Sequence, residues 1–569
     1  MKTVTLDEMV SRVEETEKIT KEPKAAADKF SKLAERLVQI AEDDKCRILT
    51  DYDADGICSA YIIQKTLNTL NPNLKTEVIC NDRRGVYGVP KNIEGDGSPT
   101  IVLDMGSNEL DYIRKTFGRD SVIIDHHLVN DEKDAEEFRQ NNNLLNLHTL
   151  PEEPDYCTTG LAVRLYETIK EEKELKTSLL TDNGIKIIGG IGTVADMVNL
   201  LDANSFNRRI VKEGMKAIED AAPENTDFFV GYMLEMAGMY DVEPVTANDL
   251  AFNVAPLINA ASRMSEIIED NGAQRLYDAL SGTGNPRHCG KMLEWARDNN
   301  EERKNRINEV IRSLDYCQTL QKERYSDSNL IVYELPEGFP HAFCGLVAGK
   351  MGEATDKPII CVVKKTDENG KTFYQGSGRS ASGYPSLKEY MDYVRDEMES
   401  VGQVLACGGH TDAIGISKIS DLDLFRDIIL DSSDKFVRKD EELMVLKLSL
   451  EEISAPETLE KVMKLEPLGM GNSIPPVIVE GAMTTSTLKN IPVWKRLEVK
   501  DDKGGKVSVL DWSYDDNEYL RDAKKNVRFL ANLGFSHFKG FHLELQSEWN
   551  RQFYDDNKPS KRKNMEISK

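Results

Sequence analysis

The sequence has no long hydrophobic run. No stretch approaches the roughly 20 apolar residues that a membrane-spanning helix needs. The opening segment, MKTVTLDEMVSRVEETEKITKEP, also lacks the apolar core of a signal peptide. Export and membrane insertion are therefore not expected, and a cytoplasmic location is. The nine cysteines are odd in number and contain no C-x-x-C pair, which speaks against a disulfide framework or a zinc module and for free thiols in a reducing compartment. Positive charge is also short, with 73 Lys and Arg against 98 Asp and Glu and a formal charge of -25. This argues against indiscriminate binding of nucleic acid over the whole surface, because phosphate neutralisation by Lys and Arg drives it, but not against a local basic groove. Acidic stretches such as EEKE at 171 to 174 read as solvated helix faces.

At 569 residues the chain is too long for one hydrophobic core, and three or four domains are expected. With 40% hydrophobic and 30% charged residues it has the composition of an ordinary folded protein. Residues 1 to 42 carry helical periodicity that ends in the amphipathic FSKLAERLVQIAEDD. Over 43 to 200, short apolar runs each close on an acidic residue: CRILT at Asp51, PTIVL at Asp104 and SVII at Asp125. Such runs, separated by helix-compatible segments, predict buried parallel strands of an α/β sheet. Ligands bind outside the carboxyl ends of such strands, where these carboxylates would lie. Residues 201 to 325 read as a helical connector, and 326 to 438 as a second α/β lobe with strands at NLIVYEL, PIICVVKK and TFYQGSG before a Gly-Gly turn at 408 and 409. From 439 to 552 short strands alternate with turns, as in a small β-barrel, and 553 to 569 is expected to be disordered.

The segment Asp51-Tyr52-Asp53-Ala54-Asp55-Gly56 sets three carboxylates at alternate positions before a glycine, which is also how a calcium EF-hand loop opens. The twelfth position of such a loop requires Glu and here is Ile62, and the preceding residues read as a strand and not as a helix. Asp125-His126-His127 closes another strand, and Asp196 follows the small residues of GGIGTVAD, which would let a helix approach a sheet closely. A His-His pair alone is as readily structural as functional. Carboxylates crowded at one sheet edge cannot all stay ionised without cations. Mixed carboxylate and imidazole donors suit Mn²⁺ or Mg²⁺, and two such ions about 3.5 to 4 Å apart activate water and stabilise the leaving oxygen in phosphoryl displacement.

DYDADG, VLDMG, DHH and GTVADMV, in that order, resemble the four motifs of the DHH phosphoesterase superfamily. The resemblance implies that Asp53, Asp55, Asp104, His126 and Asp196 hold two divalent ions, Mn²⁺ or Mg²⁺, and that Asp51, Asp125 and His127 support them, with His127 near the scissile phosphate. Later segments resemble the RecJ branch. These are APLINAASRM at 255 to 264, with Leu257 and Ser262 where that family usually has Arg and Gly, GSGRS at 376 to 380, ACGGHTDAIGIS at 406 to 417 and EPLGMGNSIPPVIVEG at 466 to 481. The fold so implied has two α/β lobes, a DHH parallel-sheet domain and a DHH-associated domain, joined by a helical connector and followed by an OB-fold β-barrel. The resemblance places Ser377, Arg379 and Arg263 on a 5′ phosphate or first nucleotide, with Asn259, Gly408, Gly409 and His410 nearby and either Arg83 or Arg84 adding a contact. Independently of any family, consecutive glycines can offer free N–H groups to an anion, and Arg grips phosphate with its planar fork.

The expected activity is 5′ to 3′ exonucleolytic hydrolysis of single-stranded DNA to mononucleotides, in DNA repair or recombination, with a single-strand-binding protein or a helicase as partner. In the barrel, Lys489, Lys495, Arg496, Lys524 and Lys525 offer a basic track, and Trp494 and Trp512 offer stacking surfaces. Two alternatives remain open. One is a phosphodiesterase for short oligonucleotides or cyclic dinucleotides, which the segment beyond 440 disfavours. The other is a catalytically weak DNA-binding replication or repair factor, which the full set of ligand positions disfavours.

Overall fold

Apolar runs bounded by charged residues become the strands of the first sheet, and the residue that ends each run becomes its functional edge. The chain opens with β1 (Lys2–Val4), α1 (Leu6–Ile19) and α2 (Lys24–Ala41). There follow β2 (Lys45–Thr50), α3 (Ala54–Leu70), β3 (Lys75–Cys80), β4 (Thr100–Leu103), α4 (Leu110–Phe117), β5 (Val122–Ile124), α5 (Glu132–Gln140) and β6 (Leu144–Leu145). Next come α6 (Thr158–Glu172), α7 (Leu179–Ala195) and α8 (Asn207–Glu219). This computed structural model describes residues 2 to 547 except 86–87, 222–224, 241, 284, 325, 327, 368, 440–443, 454, 487–494, 502–503, 512–525 and 537–541. Trp494, Trp512, Lys489, Lys524, Lys525 and the tail 553 to 569 lie outside the described residues.

The chain divides into two compact units, one formed by Val10–Lys304 with Leu465–Ser473, the other by Met1–Met9, Asn305–Lys464 and Ile474–Lys569. In the first, a five-stranded sheet runs in the order β3-β2-β4-β5-β6, and every pair in it is parallel. Parallel strands buried on both faces explain the unbroken apolar runs. One face packs Ile48, Leu103 and Ile124 against Ile57, Leu161 and Ile188 of the helices. The other packs Leu49, Val102 and Ile123 with Phe138. Asp51, Asp104 and Asp125 each follow the last residue of a strand, at one end of the sheet.

Two close approaches shape this unit. A Cβ on Gly56, in the first turn of α3, would stand 2.6 Å from the Asp51 carbonyl oxygen. Gly56→Ala is expected to cost about 1 to 3 kcal/mol through this forced shift of backbone, read as a lower urea midpoint with unchanged slope for the transition of this unit. The small residues before Asp196 act differently from expectation. Gly190 meets Gly214 of α8, and a Cβ on Gly192 would meet Thr159 Oγ1 of α6 at 2.3 Å. They bring α7 against neighbouring helices, not against the sheet, because α6 and α8 are the elements that pack on its glycine side.

Between 201 and 325 all the labelled elements are helical, among them Ala255–Arg263 and Pro286–Ile311. No described helix is long and apolar enough to cross a membrane.

The second unit holds β7 (Ile331–Glu334), β8 (Ile359–Thr366), β9 (Thr372–Arg379), β10 (Leu405–His410) and β11 (Ala413–Ile419), in the order β10-β11-β9-β8-β7. Only β7 and β8 pair in parallel; the other pairs are antiparallel. The Gly-Gly turn expected at 408 and 409 is not a turn: both glycines stand in the edge strand β10, opposite Gly415 and Ile414, and the chain reverses at 411 and 412. Gly409 accepts a φ of +141°, and a Cβ there would meet the Ala413 carbonyl oxygen at 2.3 Å, so glycine serves close strand approach.

The same unit holds β12 (Met444–Leu446), β13 (Val477–Ser486), β14 (Lys495–Lys500), β15 (Lys506–Asp511), β16 (Asn526–Ser536) and β17 (His542–Ser547). Strand β1 pairs in parallel with β12, a strand within the N-terminal segment read as helical. Pairings run β13-β14-β15-β17-β16, and β16 also pairs with β13.

Candidate metal centre

Asp53 is the N-cap of α3, and its Oδ1 accepts the N–H groups of Asp55 at 3.0 Å and Gly56 at 3.2 Å. Asp55, one residue into the helix, accepts from the N–H groups of Thr158 at 2.8 Å and Thr159 at 2.7 Å at the start of α6. Thr158 Oγ1 donates to Asp104 Oδ1 at 3.1 Å. Asp104 itself holds φ at +59°, a left-handed conformation that a non-glycine residue keeps only when its surroundings impose it. His126 Nε2 lies 3.5 Å from Asp104 Oδ1, 3.5 Å from Asp196 Oδ2 and 3.8 Å from Asp55 Oδ2.

Three overlapping donor groups result: Asp55 with His126 and Asp196, Asp51 with Asp53 and Asp104, and Asp104 with His126 and His127. Asp104 and His126 each belong to two of them. Asp125 stands behind the donors, and its carboxylate is already engaged. Oδ1 accepts the backbone N–H groups of His126 and His127 and lies 2.8 Å from His127 Nδ1, while Oδ2 accepts from Ser107 N. Asn146 Nδ2 ties Ser107 Oγ to the His127 carbonyl. With Nδ1 against Asp125, the His127 ring is held in orientation from behind.

The electrostatics are those of a site lacking positive charge. Burial and the adjacent Asp53 push Asp51 up to about 7, and its buried Oδ1 has no hydrogen-bond partner. Burial and Asp55 raise Asp104 and Asp196 far above the usual carboxylate range. Asp125 goes the other way: burial would raise it, but the His127 ring beside it holds it well below its ordinary value. Burial depresses His126, whereas Asp125 overcomes burial at His127 and carries it to about 9. An orphaned carboxylate oxygen among ligands of oxygen and imidazole type fits a divalent cation of the Mn²⁺ or Mg²⁺ class.

A cavity of about 1070 Å³ opens elsewhere in this unit, along α8, with Thr16, Leu179, Leu200, Phe206 and Lys212 among its lining and none of the donors. Donor chemistry, not cavity size, marks the centre.

The remaining sequence candidates fall into three sets. Arg84 is engaged by Asp82, Nη2 to Oδ2 at 2.6 Å, whereas the Arg83 guanidinium lies over the ring of Tyr52, 4.7 Å from its centroid, beside the DYDADG loop. Asn259 Oδ1 accepts the Ala54 N–H at 3.1 Å, which ties the helix Ala255–Arg263 to that loop, and Arg263 lies one turn further on. Leu257 and Ser262 are buried. In the other unit, the register places Ser377 beside Gly415, which pairs with Gly408, and Arg379 beside Ala413, which pairs with His410. Arg379 Nη1 donates to Ser377 Oγ at 3.1 Å. Sequence reasoning missed Thr158 and Thr159, whose signal was a small polar pair opening an apolar run, and Ser107 and Asn146, which carried none.

Residues 45–184 match the DHH family, N-terminal domain. The chain is 25% identical over 397 residues to the single-stranded-DNA-specific exonuclease RecJ of Escherichia coli, covering 66% of this chain and 64% of that protein. It is 26% identical over 479 residues to the same-named protein of Bacillus subtilis, covering 80% and 54%. It thus spans between about half and two thirds of these relatives. The fold is similar to that of Thermus thermophilus RecJ solved with Mn²⁺, with a TM-score of 0.67, 23% identity and coverage of 91% of this chain and 71% of that one. The same protein solved with Mg²⁺ gives a TM-score of 0.63, 21% identity and coverage of 96% and 77%. In sequence and fold the chain is RecJ-like, and it carries a DHH-family domain.

Proposed function

We propose that the chain is a metal-dependent exonuclease that degrades single-stranded DNA from its 5′ end to mononucleotides. The observation that carries this reading is the set of overlapping donor groups at the carboxyl end of the parallel sheet, with an unpartnered buried Asp51 oxygen among them. The similarity to single-stranded-DNA-specific exonucleases supports the substrate. Asp51, Asp53, Asp55, Asp104, His126 and Asp196 would hold two ions, Mn²⁺ or Mg²⁺. Held by these residues, the ions would supply Lewis acidity toward water and the phosphoryl oxygens. Asp125 orients His127 through Nδ1, and the His127 imidazole is proposed to hold or protonate a phosphate oxygen.

In the second unit, Ser377, Arg379, Gly408, Gly409 and His410 are proposed as phosphate contacts; in the first, Arg263 is proposed as a basic contact, with Asn259 keeping the DYDADG loop in place. The domain boundaries read from the sequence are part of the same proposal, as is an OB-fold identity for the C-terminal strands. The circuit of pairings from β13 through β14, β15, β17 and β16 back to β13 supports that identity, as does the parallel β15–β17 pair. A cytoplasmic role in DNA repair or recombination follows, beside a single-strand-binding protein or a helicase.

Arg83 is proposed as the basic contact of its loop in preference to Arg84. Arg83→Ala is expected to raise KM for single-stranded DNA about 10- to 100-fold, the worth of a charge-assisted hydrogen bond, and Arg84→Ala to change it little, both from initial rates at low salt. Digestion of single-stranded DNA labelled at either end, in Mn²⁺, Mg²⁺ or chelator, tests the function. Mononucleotide release from the 5′ end that chelator stops is the expected result. Cleavage confined to dinucleotides, or binding without cleavage, would overturn it.

A further inference from the structure

Asp196 is the C-cap of α7, and the chain turns immediately after it, with Met197 at φ +61°. The residues of that turn are gripped on two sides. From the DHH side, Asp155 Oδ2 accepts the Asn199 N–H at 2.7 Å, and Asn207 Nδ2 donates to the Asn199 carbonyl at 3.1 Å. From the other side comes Leu465–Ser473, more than 260 residues later in the chain but part of the same compact unit. The Leu200 N–H donates to the Met470 carbonyl at 2.9 Å. Gly471 stands at φ +73° so close that a Cβ would lie 1.9 Å from Asn199 Oδ1.

This segment is itself fastened at both ends. Arg208, buried at the start of α8, donates to three successive carbonyls: Leu465 at 3.0 Å, Glu466 at 2.6 Å and Pro467 at 3.1 Å. Asn472 Nδ2 donates to Leu465 and Pro467 at 2.7 and 2.8 Å. The Glu466 carboxylate accepts the N–H groups of Ala247 and Leu468. A stretch that the sequence joins to the C-terminal strands is thus built into the turn three residues after a candidate metal ligand. Four separate backbone carbonyls of it are committed there.

We infer that Leu465–Ser473 is a positioning element of the metal centre, which sets Asp196 through the turn at Asn199 and Leu200 and is locked by Arg208. The inference rests on the metal-centre reading above. Groups that orient metal ligands from behind are worth about 10- to 100-fold in metal affinity when removed.

The test is calorimetric titration of the full chain with Mn²⁺, which reads binding and not turnover. Gly471→Ala is expected to weaken Mn²⁺ binding about 10- to 100-fold. Gly504→Ala imposes similar left-handed strain at φ +93° but meets nothing within 4 Å, and is expected to leave affinity unchanged. Because the Gly471→Ala penalty arises at Asn199 Oδ1, it should shrink in an Asn199→Ala background; contacts that act independently would add instead. Should Gly471→Ala fail to fold, Arg208→Lys decides: it keeps the charge facing Glu17, which lies 2.7 Å from Arg208 Nε, but loses the fork on three carbonyls, and is expected to weaken Mn²⁺ binding likewise. Wild-type affinity in the folded Gly471→Ala chain, or in Arg208→Lys where that variant decides, or a penalty that adds fully with Asn199→Ala, overturns this inference alone. A wild-type chain that binds no Mn²⁺ overturns the metal-centre reading, and this inference with it.

Discussion

Asp104→Asn is expected to abolish most of the activity while making the metal-free protein more stable. Asparagine is the suitable replacement because Asp104 sits at φ +59°, where Asn is tolerated and Ala is strained, and because its amide oxygen can still accept from Thr158 Oγ1. What is lost is a charge shared between two donor groups. Electrostatic stabilisation is commonly the largest catalytic contribution, so kcat should fall on the order of 10³-fold or more. In chelator the same charge is only a burden, since burial and Asp55 already drive Asp104 toward its neutral form. Removing it should add roughly 1 to 2 kcal/mol at pH 8, or about 2 to 8 °C in the melting of this unit. The gain should shrink as pH falls and vanish near pH 4, where the carboxyl is protonated in the unfolded chain as well. Steady-state rates in Mn²⁺ and thermal melts in chelator at the two pH values check both halves. A variant both inactive and less stable at pH 8 would mean that Asp104 is a structural residue.

The second large effect is a pH dependence that metal reverses. Asp51 titrates at about 7 in the folded chain, Asp104 and Asp196 are also raised, and each returns to the ordinary carboxylate range on unfolding. Between roughly pH 4 and the folded value, the folded state binds more protons than the unfolded one, so stability falls as pH rises through that window. His127, raised to about 9 beside Asp125, acts in the same direction, its contribution complete below the ordinary histidine value and lost as pH climbs to 9. His126, depressed by burial, opposes them near its ordinary value. The metal-free protein should therefore melt at progressively lower temperature from pH 5 to pH 8. Mn²⁺ requires the carboxylates ionised, so its stabilisation should be small at pH 5 and reach about 2.7 kcal/mol at pH 8 with Mn²⁺ at 100 times its Kd. A slope should survive in Mn²⁺ because Glu466, pushed by burial to about 7, lies outside the donor groups. Glu466→Gln should flatten it. A metal-free melting temperature that rises from pH 5 to pH 8 would contradict this ordering of the charges.

The donor set was legible because each of its strands is a short apolar run that stops at an acid, and the parallel pairing then brings Asp51, Asp104 and Asp125 to one end without further information. Asp196 was legible only by its motif, since the glycines before it pack α7 on other helices. What escaped was held by backbone. Thr158 and Thr159 hold Asp55 chiefly through their N–H groups, which any residue possesses. Leu465–Ser473 holds the Asp196 turn through a carbonyl and a missing Cβ, which no side-chain pattern announces. The choice between Arg83 and Arg84 depended on Asp82, whose pairing with Arg84 uses geometry along the loop. Gly408 and Gly409 looked like a turn because glycine pairs usually make one, and a strand resulted because β11 lies against them. The strand Asn526–Ser536 was not anticipated; asparagine and glycine interrupt its apolar pattern.

The most direct measurement of the central claim is the number of Mn²⁺ ions bound per chain at pH 8, by titration with the released protons counted. Two ions bound with proton release, and a deficit of at least one in Asp104→Asn, are expected from donor groups that share Asp104 and His126. No saturable binding, or binding equal in the wild type and the variant, would contradict it.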